Sequence, residues 1–538
     1  MFPLASFVLG LSVVGLAVAH PKSHNSTEAK RGAVASEAAV CSQIGIDILK
    51  AGGNAADSLV ATQLCVGVVA MYHSGIGGGG FMTVRSSNGS YEFIDFRERA
   101  PAASFELMYS PPLSNVNLSL YGGLASGVPG ELRGLEYLHK KYGCLPWKKL
   151  VMPSVKLARY GFRVTEDLVR YMGGASFLSQ DSTWAIDFAP NGTLVRLNDT
   201  MTRKRYANTL EEIAEHGPDA FYTGAIANAT IVALQKSNGT MTLADLANYT
   251  IELRPTSNIT YRGYKLHTGS APSSGAVVLS ALKIVEGYDM STPSALNLST
   301  HYLDEAMRFA YGQRTLLGDA TFLPNLTKYQ RDMYSEKTAA EIRALIQPAV
   351  RSPMPSLRTR PDPPAGLMIP ELGVIMNNEM NDFSVPNTTN AFGYIPTEAN
   401  YIKPFKRPLS SISPTIVEYP NGTVFISHAS AGGSRIITEI IQHLWHVIDQ
   451  KMTSAQALRQ PRFHDQLSPN TVSFEYAGDA FGVPGYSNET TAYFKEIGAN
   501  VAFVAVGSTT AQAIRVLENG TFEAAGEPRQ LNSAGYAF

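Results

Sequence analysis

The sequence is poor in charged residues and carries almost no net charge. Asp, Glu, Lys and Arg make up 17% of its 538 residues, and the formal net charge at pH 7 is −1. A chain that binds nucleic acid or an anionic membrane through its electrostatic field needs a basic excess, so neither partner is expected. The length alone is that of two to four domains, and the remaining composition is that of an ordinary globular protein.

Cysteine is also scarce, with only Cys41, Cys65 and Cys144 in the chain. Three scattered cysteines do not make a structural zinc site, and in an oxidising compartment they predict one disulfide and one free thiol. Cys41 and Cys65 fall on two consecutive predicted helices, residues 36–50 and 54–69, which antiparallel packing would bring together. The sequence contains no His-Glu-x-x-His or Cys-x-x-Cys motif, so no metal site is predicted. It also lacks a Gly-x-Ser-x-Gly elbow between a strand and a helix, which argues against a hydrolase of that type.

Long apolar runs are missing except at the N-terminus, over residues 2–18. This run ends in Ala17-Val18-Ala19, a small-x-small pattern suited to signal peptidase, and predicts a signal peptide over residues 1–19. An uncleaved anchor is the alternative, although the run is short for a membrane span. Residues 20–30 are polar and are expected to form a disordered leader.

Acceptor sites for N-glycosylation are dense, which predicts entry into the secretory pathway and a glycosylated exterior. The Asn-x-Ser/Thr acceptors are Asn25, Asn88, Asn117, Asn191, Asn198, Asn228, Asn238, Asn248, Asn258, Asn297, Asn325, Asn387, Asn421, Asn488 and Asn519. The expected location is secreted or extracellular, with the vacuole as the alternative.

Three Asn-Gly pairs between strand-like runs predict β-hairpins. They are Asn88-Gly89, Asn421-Gly422 and Asn519-Gly520. Between them, residues 132–346 are predicted to be largely helical. Hairpins at both ends of a helical middle favour one mixed α/β domain over residues 31–538, with a sheet that joins distant parts of the chain.

Two amides and two carboxylates follow the apolar run at residues 372–376. Glu379 and Asp382 stand three residues apart in this group. A strand end that delivers such side chains is a common way to build a small-molecule site, and a solvated turn is the alternative. The segment before the run, residues 347–367, is rich in Pro and Arg and cannot form a central strand, because Pro lacks the backbone donor.

Two arginines, Arg97 and Arg99, lie where the first hairpin ends. An arginine at this position can bind a carboxylate in two-pronged fashion. A structural salt bridge to Asp95 or Glu98 is the alternative. The sequence does not choose between the two arginines or between these two roles.

Two further turns are candidate binding elements. Ser410 and Ser411 precede a predicted strand, where they either donate to a ligand or only satisfy the turn. Gly432 and Gly433 lie at a predicted strand-to-helix junction. Their backbone N–H groups either form an oxyanion hole or close a tight turn.

Five segments together resemble the gamma-glutamyltranspeptidases, also called glutathione hydrolases, and the sequon-rich chain resembles fungal secreted members. The segments are Gly75-Ile76-Gly77-Gly78-Gly79, Asp95-Phe96-Arg97-Glu98, Asn377-Asn378-Glu379-Met380-Asn381-Asp382-Phe383, Pro408-Leu409-Ser410-Ser411 and Gly432-Gly433. The resemblance covers residues 31–535, almost the whole mature chain. It implies an α+β fold of the N-terminal-nucleophile hydrolase type, a four-layer αββα sandwich, with no cofactor and no metal.

The resemblance also implies an activity and roles for residues. Family members cleave the γ-glutamyl bond of glutathione and its conjugates through a Thr-linked acyl-enzyme, and pass the group to water, amino acids or peptides. By position, Arg97 would hold the glutamate α-carboxylate, and Glu379 and Asp382 its α-ammonium. Residues implied to assist the substrate or the oxyanion are Ser410, Ser411, Gly432 and Gly433. Family members also often link the cysteines that match Cys41 and Cys65.

One family feature is not found in this sequence. Family members cleave themselves before the nucleophilic Thr into two subunits, which would correspond here to residues 31–346 and 368–538. The Thr belongs to a His-Gly-Thr-like segment followed by Thr-x-Thr-x-Asn and Phe-Gly-Ser, and residues 347–367 stand in its place. The only Thr there, Thr359, is flanked by arginines and lacks the motif, so it is not assigned as the nucleophile.

Three hypotheses follow from this departure. The first is a γ-glutamyl-transferring enzyme whose sequence is altered over residues 347–367 by a misread splice junction or a frameshift. The second is an inactive family member that binds γ-glutamyl compounds or another protein. The third is an acylase of the same fold that acts on a different amide, which is disfavoured because Arg97, Glu379 and Asp382 suit an amino-acid head group.

Overall fold

The fold is built around a seven-stranded antiparallel sheet. The structure, a computed structural model, describes residues 27–292, 295–348, 350–352 and 366–538. In spatial order the strands of the large sheet are β1 (Thr27–Ala29), β18 (Phe522–Ala525), β17 (Thr510–Val516), β13 (Val424–Ala431), β12 (Thr415–Glu418), β9 (Tyr264–Gly269) and β8 (Thr256–Tyr261). The predicted Asn-Gly hairpins join β12 to β13 and β17 to β18, and both are confirmed.

A second layer of strands packs face to face on the large sheet. One part is formed by β3 (Phe81–Arg85), β4 (Tyr91–Asp95) and β7 (Glu252–Arg254), and the other by β2 (Ala33–Ser36) and β19 (Ala534–Ala537). The Tyr91 ring stacks on His267 of β9 at 3.7 Å between ring centroids. Gly269 lies directly beneath the Phe93 ring, where any Cβ would overlap the ring, so this close approach requires glycine. Gly535 of β19 likewise lies against the backbone of β18.

Helices cover the outer faces of both strand layers. Those packed around the β3–β4–β7 side are α1 (Ala39–Lys50), α2 (Ala55–Val69), α3 (Glu131–Tyr142), α4 (Trp147–Tyr160), α5 (Glu166–Met172), α6 (Phe177–Gln180), α7 (Ser182–Phe188), α8 (Lys204–His216), α9 (Asp219–Tyr222), α10 (Gly224–Lys236) and α11 (Leu243–Ala247). Those on the side of the large sheet are α12 (Gly275–Val285), α13 (Leu296–Arg314), α14 (Leu326–Met333), α15 (Glu336–Arg343), α16 (Ile436–Ile448), α17 (Ser454–Arg459) and α18 (Asn488–Glu496). The predicted α+β, αββα order of layers is confirmed.

The remaining strands form short ladders at the edges of the fold. They are β5 (Phe162–Arg163) with β6 (Thr200–Met201), β10 (Leu367–Met368) with β11 (Ile375–Met376), and β14 (Phe463–His464) with β15 (Val472–Glu475) and β16 (Val501–Val504). In the part of the chain that the structure describes, no helix has both the length and the apolarity to cross a bilayer.

Two expectations about the N-terminal region need correction. The disordered leader predicted over residues 20–30 is wrong for Thr27–Ala29, because these residues pair with β18 as an edge strand. The first helix, predicted over residues 36–50, begins only at Ala39, because Ser36 ends β2. The predicted signal peptide, residues 1–19, lies outside the described residues.

Candidate active site

A cavity of ≈ 1570 Å³ opens where the two strand layers meet the turn after β11. Side chains of β2 and β3 line two of its walls, and residues of β13 and β17 line it from the large sheet. All the glutamate-binding and oxyanion residues predicted from the sequence line this one cavity: Arg97, Glu379, Asp382, Ser410, Ser411, Gly432 and Gly433.

Arg97 is the cation of the cavity wall. It is 2% exposed and follows β4, where its Nε donates to the carbonyl oxygen of Pro408 at 2.8 Å. Its Nη2 lies 3.1 Å from Oε2 of Glu379 and also pairs with Asp382. Arg99, the other candidate, turns away and donates to the carbonyl oxygen of Asn248. The structure therefore selects Arg97 as the arginine that faces the carboxylates.

Burial and like charge shift the acid–base behaviour of this cluster. Burial acts to lower the pKa of Arg97, but the neighbouring charges of Glu379 and Asp382 outweigh it and raise that pKa. Burial, followed by the charge of Glu379, raises the pKa of Asp382 to about 8, although Arg97 opposes the shift. Burial and Glu379 also raise the pKa of Glu98 well above its usual range. One buried cation, Arg97, thus lies beside three carboxyl groups.

Asn377 holds the turn that presents Glu379 and Asp382. Its Nδ2 donates to the carbonyl oxygens of Gly77 and Gly127, each at 2.8 Å, and its Oδ1 accepts from the N–H of Gly127 at 2.8 Å. A Cβ at Gly77 would collide with the backbone of β11, so the glycine-rich loop is a site of close backbone packing. The apolar run predicted as a strand pairs only at its end, as β11 with β10.

Ser410 and Ser411 line the cavity just before β12. Ser410 Oγ accepts from the backbone N–H of Ile412 at 3.1 Å, so this hydroxyl satisfies the turn as well as lining the cavity. Ser411 Oγ accepts from Nη2 of Arg314 at 3.4 Å. Both serines are at least nine-tenths buried, which fixes their positions.

Gly432 and Gly433 form the junction between β13 and α16. Their φ angles are 135° and 59°, in a region that L-residues rarely occupy. A Cβ on Gly433 would also collide with the Phe392 ring. The sharp turn therefore requires glycine at both positions, and it places their backbone at the cavity.

Comparison with known proteins decides the family. The gamma-glutamyltranspeptidase family model matches residues 41–363 and 364–537. The chain belongs to this family. It is 48% identical over 554 residues to the glutathione hydrolase proenzyme of Arthroderma benhamiae, covering 94% of this chain and 93% of the relative. It is 44% identical over 555 residues to the glutathione hydrolase of Aspergillus flavus, covering 95% of this chain and 90% of the relative.

A solved structure shows the same fold. The crystal structure of cephalosporin acylase from Bacillus halodurans is similar with a TM-score of 0.83 over 98% of this chain and 99% of that chain, at 24% identity. The predicted fold of the gamma-glutamyltranspeptidase family, an N-terminal-nucleophile hydrolase-like sandwich, is confirmed.

Two residues that support the site have no signal in the sequence. Asn400 donates to the carbonyl oxygen of Asp382 at 2.7 Å and accepts from the N–H of Leu409 at 2.9 Å, so it joins the carboxylate turn to the serine segment. Arg314 reaches Ser411 from α13. Neither belongs to a family segment, and the folded topology brings both to the cavity.

The cysteines lie away from the cavity. Cys41 on α1 and Cys65 on α2 form a disulfide, with their Cα atoms 5.3 Å apart. Cys144 is a free, exposed thiol whose Sγ lies 3.0 Å from Oδ2 of Asp57. Thr359 lies outside the residues that the structure describes.

Proposed function

We propose that this protein cleaves the γ-glutamyl bond of glutathione and its conjugates and passes the γ-glutamyl group to water, amino acids or peptides. The observation that carries the proposal is the contact of Arg97 with Glu379 and Asp382 at the wall of one cavity. Membership of the gamma-glutamyltranspeptidase family supports the reaction class.

The charges of this wall match those of an amino-acid head group. A γ-glutamyl group ends in an α-carboxylate and an α-ammonium, which need one cation and at least one anion close together. Arg97 would bind the carboxylate through its planar guanidinium. Glu379 and Asp382 would bind the ammonium, and Ser410 and Ser411 would donate to the carboxylate.

The Gly432–Gly433 turn would act at the scissile bond. Attack on the γ-carbonyl places negative charge on its oxygen, and backbone N–H groups aimed at that oxygen stabilise the transition state. The turn lines the same cavity as Arg97, which is the arrangement this role requires.

The nucleophile is the part of the proposal that this sequence does not supply. The family model breaks between residues 363 and 364, inside the Pro/Arg-rich segment 347–367. The alignment with the Arthroderma relative runs over 554 residues but covers 94% of this 538-residue chain, so part of its length has no counterpart here. Both observations support the hypothesis that a misread splice junction or a frameshift has replaced the Thr block. Sequencing the transcript across residues 347–367 tests it, and the same Pro/Arg run in the mature message would contradict it.

The cavity walls agree with this interpretation. The second strand layer is divided into β2–β19 and β3–β4–β7, and residues of both parts line the cavity. Within the described residues, β3 pairs on one edge only, with β4. A free strand edge beside a large cavity leaves room for a further strand.

We further propose that the protein enters the secretory pathway and, where the Thr block is present, matures into two subunits near residues 346–368. The surface supports the first part, because thirteen of the fourteen described glycosylation acceptors are exposed and the other, Asn297, is half-buried. The name of the Arthroderma relative, a proenzyme, supports the second part.

One experiment separates the hypotheses. The full chain is expressed with and without a restored Thr block, run on a denaturing gel, and assayed with γ-glutamyl-p-nitroanilide, with glycylglycine as acceptor. Two subunits and release of p-nitroaniline with the restored block support the proposed enzyme. Binding of glutathione by a single, inactive chain in both forms supports the inactive alternative. If neither form turns over the substrate and neither form binds glutathione, the proposed function is contradicted.

A further inference from the structure

Three hairpin tips of the fold share one turn, and each tip carries a glycosylation acceptor. The acceptors are Asn88 between β3 and β4, Asn421 between β12 and β13, and Asn519 between β17 and β18. The Gly that follows each Asn has a positive φ angle, 83°, 83° and 80° respectively. Its N–H donates to the carbonyl oxygen three residues earlier, at 2.8 or 2.9 Å. The three tips therefore hold their Asn residues in the same conformation.

The turn itself orients the amide of each Asn. The Oδ1 atom accepts from the backbone N–H two residues later, at 2.9 Å for Asn88, 3.0 Å for Asn421 and 2.9 Å for Asn519. Because an N–H must meet an acceptor, the amide oxygen faces the turn and the amide nitrogen faces away from it. All three Asn residues are exposed. A sugar on Nδ2 would point into solvent and would break none of these hydrogen bonds.

Asn297 is an acceptor in the opposite situation. It is half-buried at the start of α13, and its Oδ1 accepts from Oγ1 of Thr490 on α18 at 2.7 Å. Its Nδ2 lies 3.5 Å from Oε1 of Glu489 on the same helix. A sugar on this nitrogen would enter the contact between two helices, so the fold disfavours a glycan here.

The three tips meet at one end of the fold. Nη2 of Arg85, the last residue of β3, donates to the carbonyl oxygen of Gly422 in the second tip at 2.8 Å. The hydroxyl of Tyr419, also in the second tip, donates to the carbonyl oxygen of Val516 at the end of β17 at 3.0 Å. Glycans on the three tips would therefore cover one continuous surface.

The cavity lies at the other ends of the same strands. The first residues of β3 and β17, Phe81 and Thr510, line it, and so does Ala431, the last residue of β13. The 8 residues of β13 span about 25 Å between the second tip and the Gly432–Gly433 turn. Sugars on the tips would therefore lie far from the cavity and would leave it accessible.

The same three Asn residues stand in a chemically labile pair. The chain contains five Asn-Gly pairs, and Ser or Thr follows each of them. In an unmodified pair the Gly nitrogen bonds to Cγ of Asn, the Cγ–Nδ2 bond breaks, and ammonia leaves with the Gly amide proton. Water then opens the ring to Asp or isoaspartate. Glycine hinders this attack least, since it has no Cβ. A sugar bonded to Nδ2 prevents the release of ammonia, so a glycosylated pair keeps its Asn.

We propose that Asn88, Asn421 and Asn519 carry N-linked glycans that cover the end of the fold opposite the cavity and preserve the three Asn-Gly turns. The inference rests on the proposed entry into the secretory pathway and is independent of γ-glutamyl turnover. The sequence shows these residues only as three acceptors among many. The structure adds their common turn, their outward amide nitrogens and their position at one end.

Glycan mapping of the secreted full chain tests the proposal. The chain is produced in a fungal host, and its peptides are treated with peptide N-glycosidase in water labelled with heavy oxygen and measured by mass spectrometry. The enzyme converts glycosylated Asn to labelled Asp, whereas earlier spontaneous deamidation gives unlabelled Asp. Labelled Asp is expected in place of Asn88, Asn421 and Asn519. Asn297 should remain Asn.

Two serine variants of the first tip separate the glycan from the local structure. Ser90→Ala removes the acceptor motif but keeps the Asn88-Gly89 pair and the backbone N–H that Asn88 accepts from. This variant should lose the label at Asn88 and accumulate unlabelled Asp and isoaspartate on storage at mildly alkaline pH. Ser87→Ala, in the same tip but outside the motif, is the matched control and should keep the glycan and the Asn.

The outcomes distinguish this inference from the secretory proposal. Glycans at other acceptors with any of the three tips unmodified, or a glycan on Asn297, would overturn the inference alone. An Asn88 that stays intact in stored Ser90→Ala would show that the glycan does not preserve the turn. If no acceptor in the chain becomes labelled, the proposed secretory route fails and this inference fails with it.

Discussion

Asp382 lies in ion-pair contact with Arg97, although 285 positions separate them in the chain. The contact joins the end of β4 to the turn after β11, and Glu379 adds a second carboxylate 3.1 Å from the same guanidinium nitrogen. Because one buried cation cannot neutralise all its acidic neighbours, the cluster keeps a proton near neutral pH.

Because of this proton, the affinity for an amino-acid head group should depend on pH. With its pKa raised to about 8, Asp382 is protonated in the free site at lower pH, and an incoming α-ammonium favours the carboxylate form. Binding therefore releases a proton, and affinity for an amino-acid head group should rise by up to about tenfold per pH unit between about pH 6 and pH 8. Calorimetry with L-glutamate in buffers of different ionisation enthalpy measures both effects. Asp382→Asn should remove the proton release, and equal affinity at both ends of the range in the unmodified chain would contradict the account.

Replacing Asn377 should destabilise the fold, whereas replacing its neighbour Asn378 should not. Asn377→Ala removes four hydrogen bonds and leaves the buried N–H and C=O groups of Gly127 without partners, which should cost about 2–3 kcal/mol. Asn378→Ala is the matched control, since Asn378 makes one long bond of 3.4 Å to Leu120. Urea unfolding measures both variants, and similar midpoints would show that Asn377 does not hold the turn.

The disulfide should stabilise the folded protein chiefly because it restricts the conformations of the unfolded chain. Cys41 and Cys65 are separated by 24 positions, and opening a loop of this length should cost about 3 kcal/mol. The double variant Cys41→Ala/Cys65→Ala should unfold at lower denaturant concentration than the unmodified chain. Cys144→Ser, which changes an exposed thiol, should not. If the double variant and the unmodified chain are equally stable under oxidising conditions, this prediction is wrong.

Glu131, which also lines the cavity, should make the stability of the fold depend on pH. Burial raises its pKa to about 7, while Nε2 of Gln63 donates to it at 2.8 Å. Its pKa is higher in the folded chain than in the unfolded chain, so its contribution is present below about pH 4 and is lost as the pH rises to about 7. Glu131→Gln should therefore match the unmodified chain near pH 4 and exceed its stability by up to about 3 kcal/mol above pH 7. Glu215→Gln, at a surface ion pair, should show no such difference.

The local features of the fold could be predicted because adjacent residues encode them. Asn-Gly turns fix hairpin registers, so the strands around Asn88, Asn421 and Asn519 lie where the sequence places them. The first helix ends at Lys50 as predicted, but it begins at Ala39 and not at residue 36, because Ser36 pairs with β19.

The candidate site was predictable residue by residue only through the family segments. Chemistry alone left Arg97 and Arg99 equal, since both follow the same hairpin, and the choice depends on carboxylates far along the chain. The supporting residues Asn400 and Arg314 were missed for the same reason. Contacts between distant segments have no signature in one sequence.

The binding role of Arg97 is the central claim, and one titration tests it most directly. L-Glutamate, which carries the γ-glutamyl head group and no bond to cleave, is titrated calorimetrically into the unmodified chain, Arg97→Lys and Arg99→Lys. The account predicts binding that Arg97→Lys weakens by about 100-fold, or about 3 kcal/mol, because lysine cannot form the two-pronged contact. Arg99→Lys should bind as the unmodified chain does, since Arg99 faces Asn248. Equal affinity of the Arg97→Lys and Arg99→Lys variants, or no binding by the unmodified chain, would contradict it.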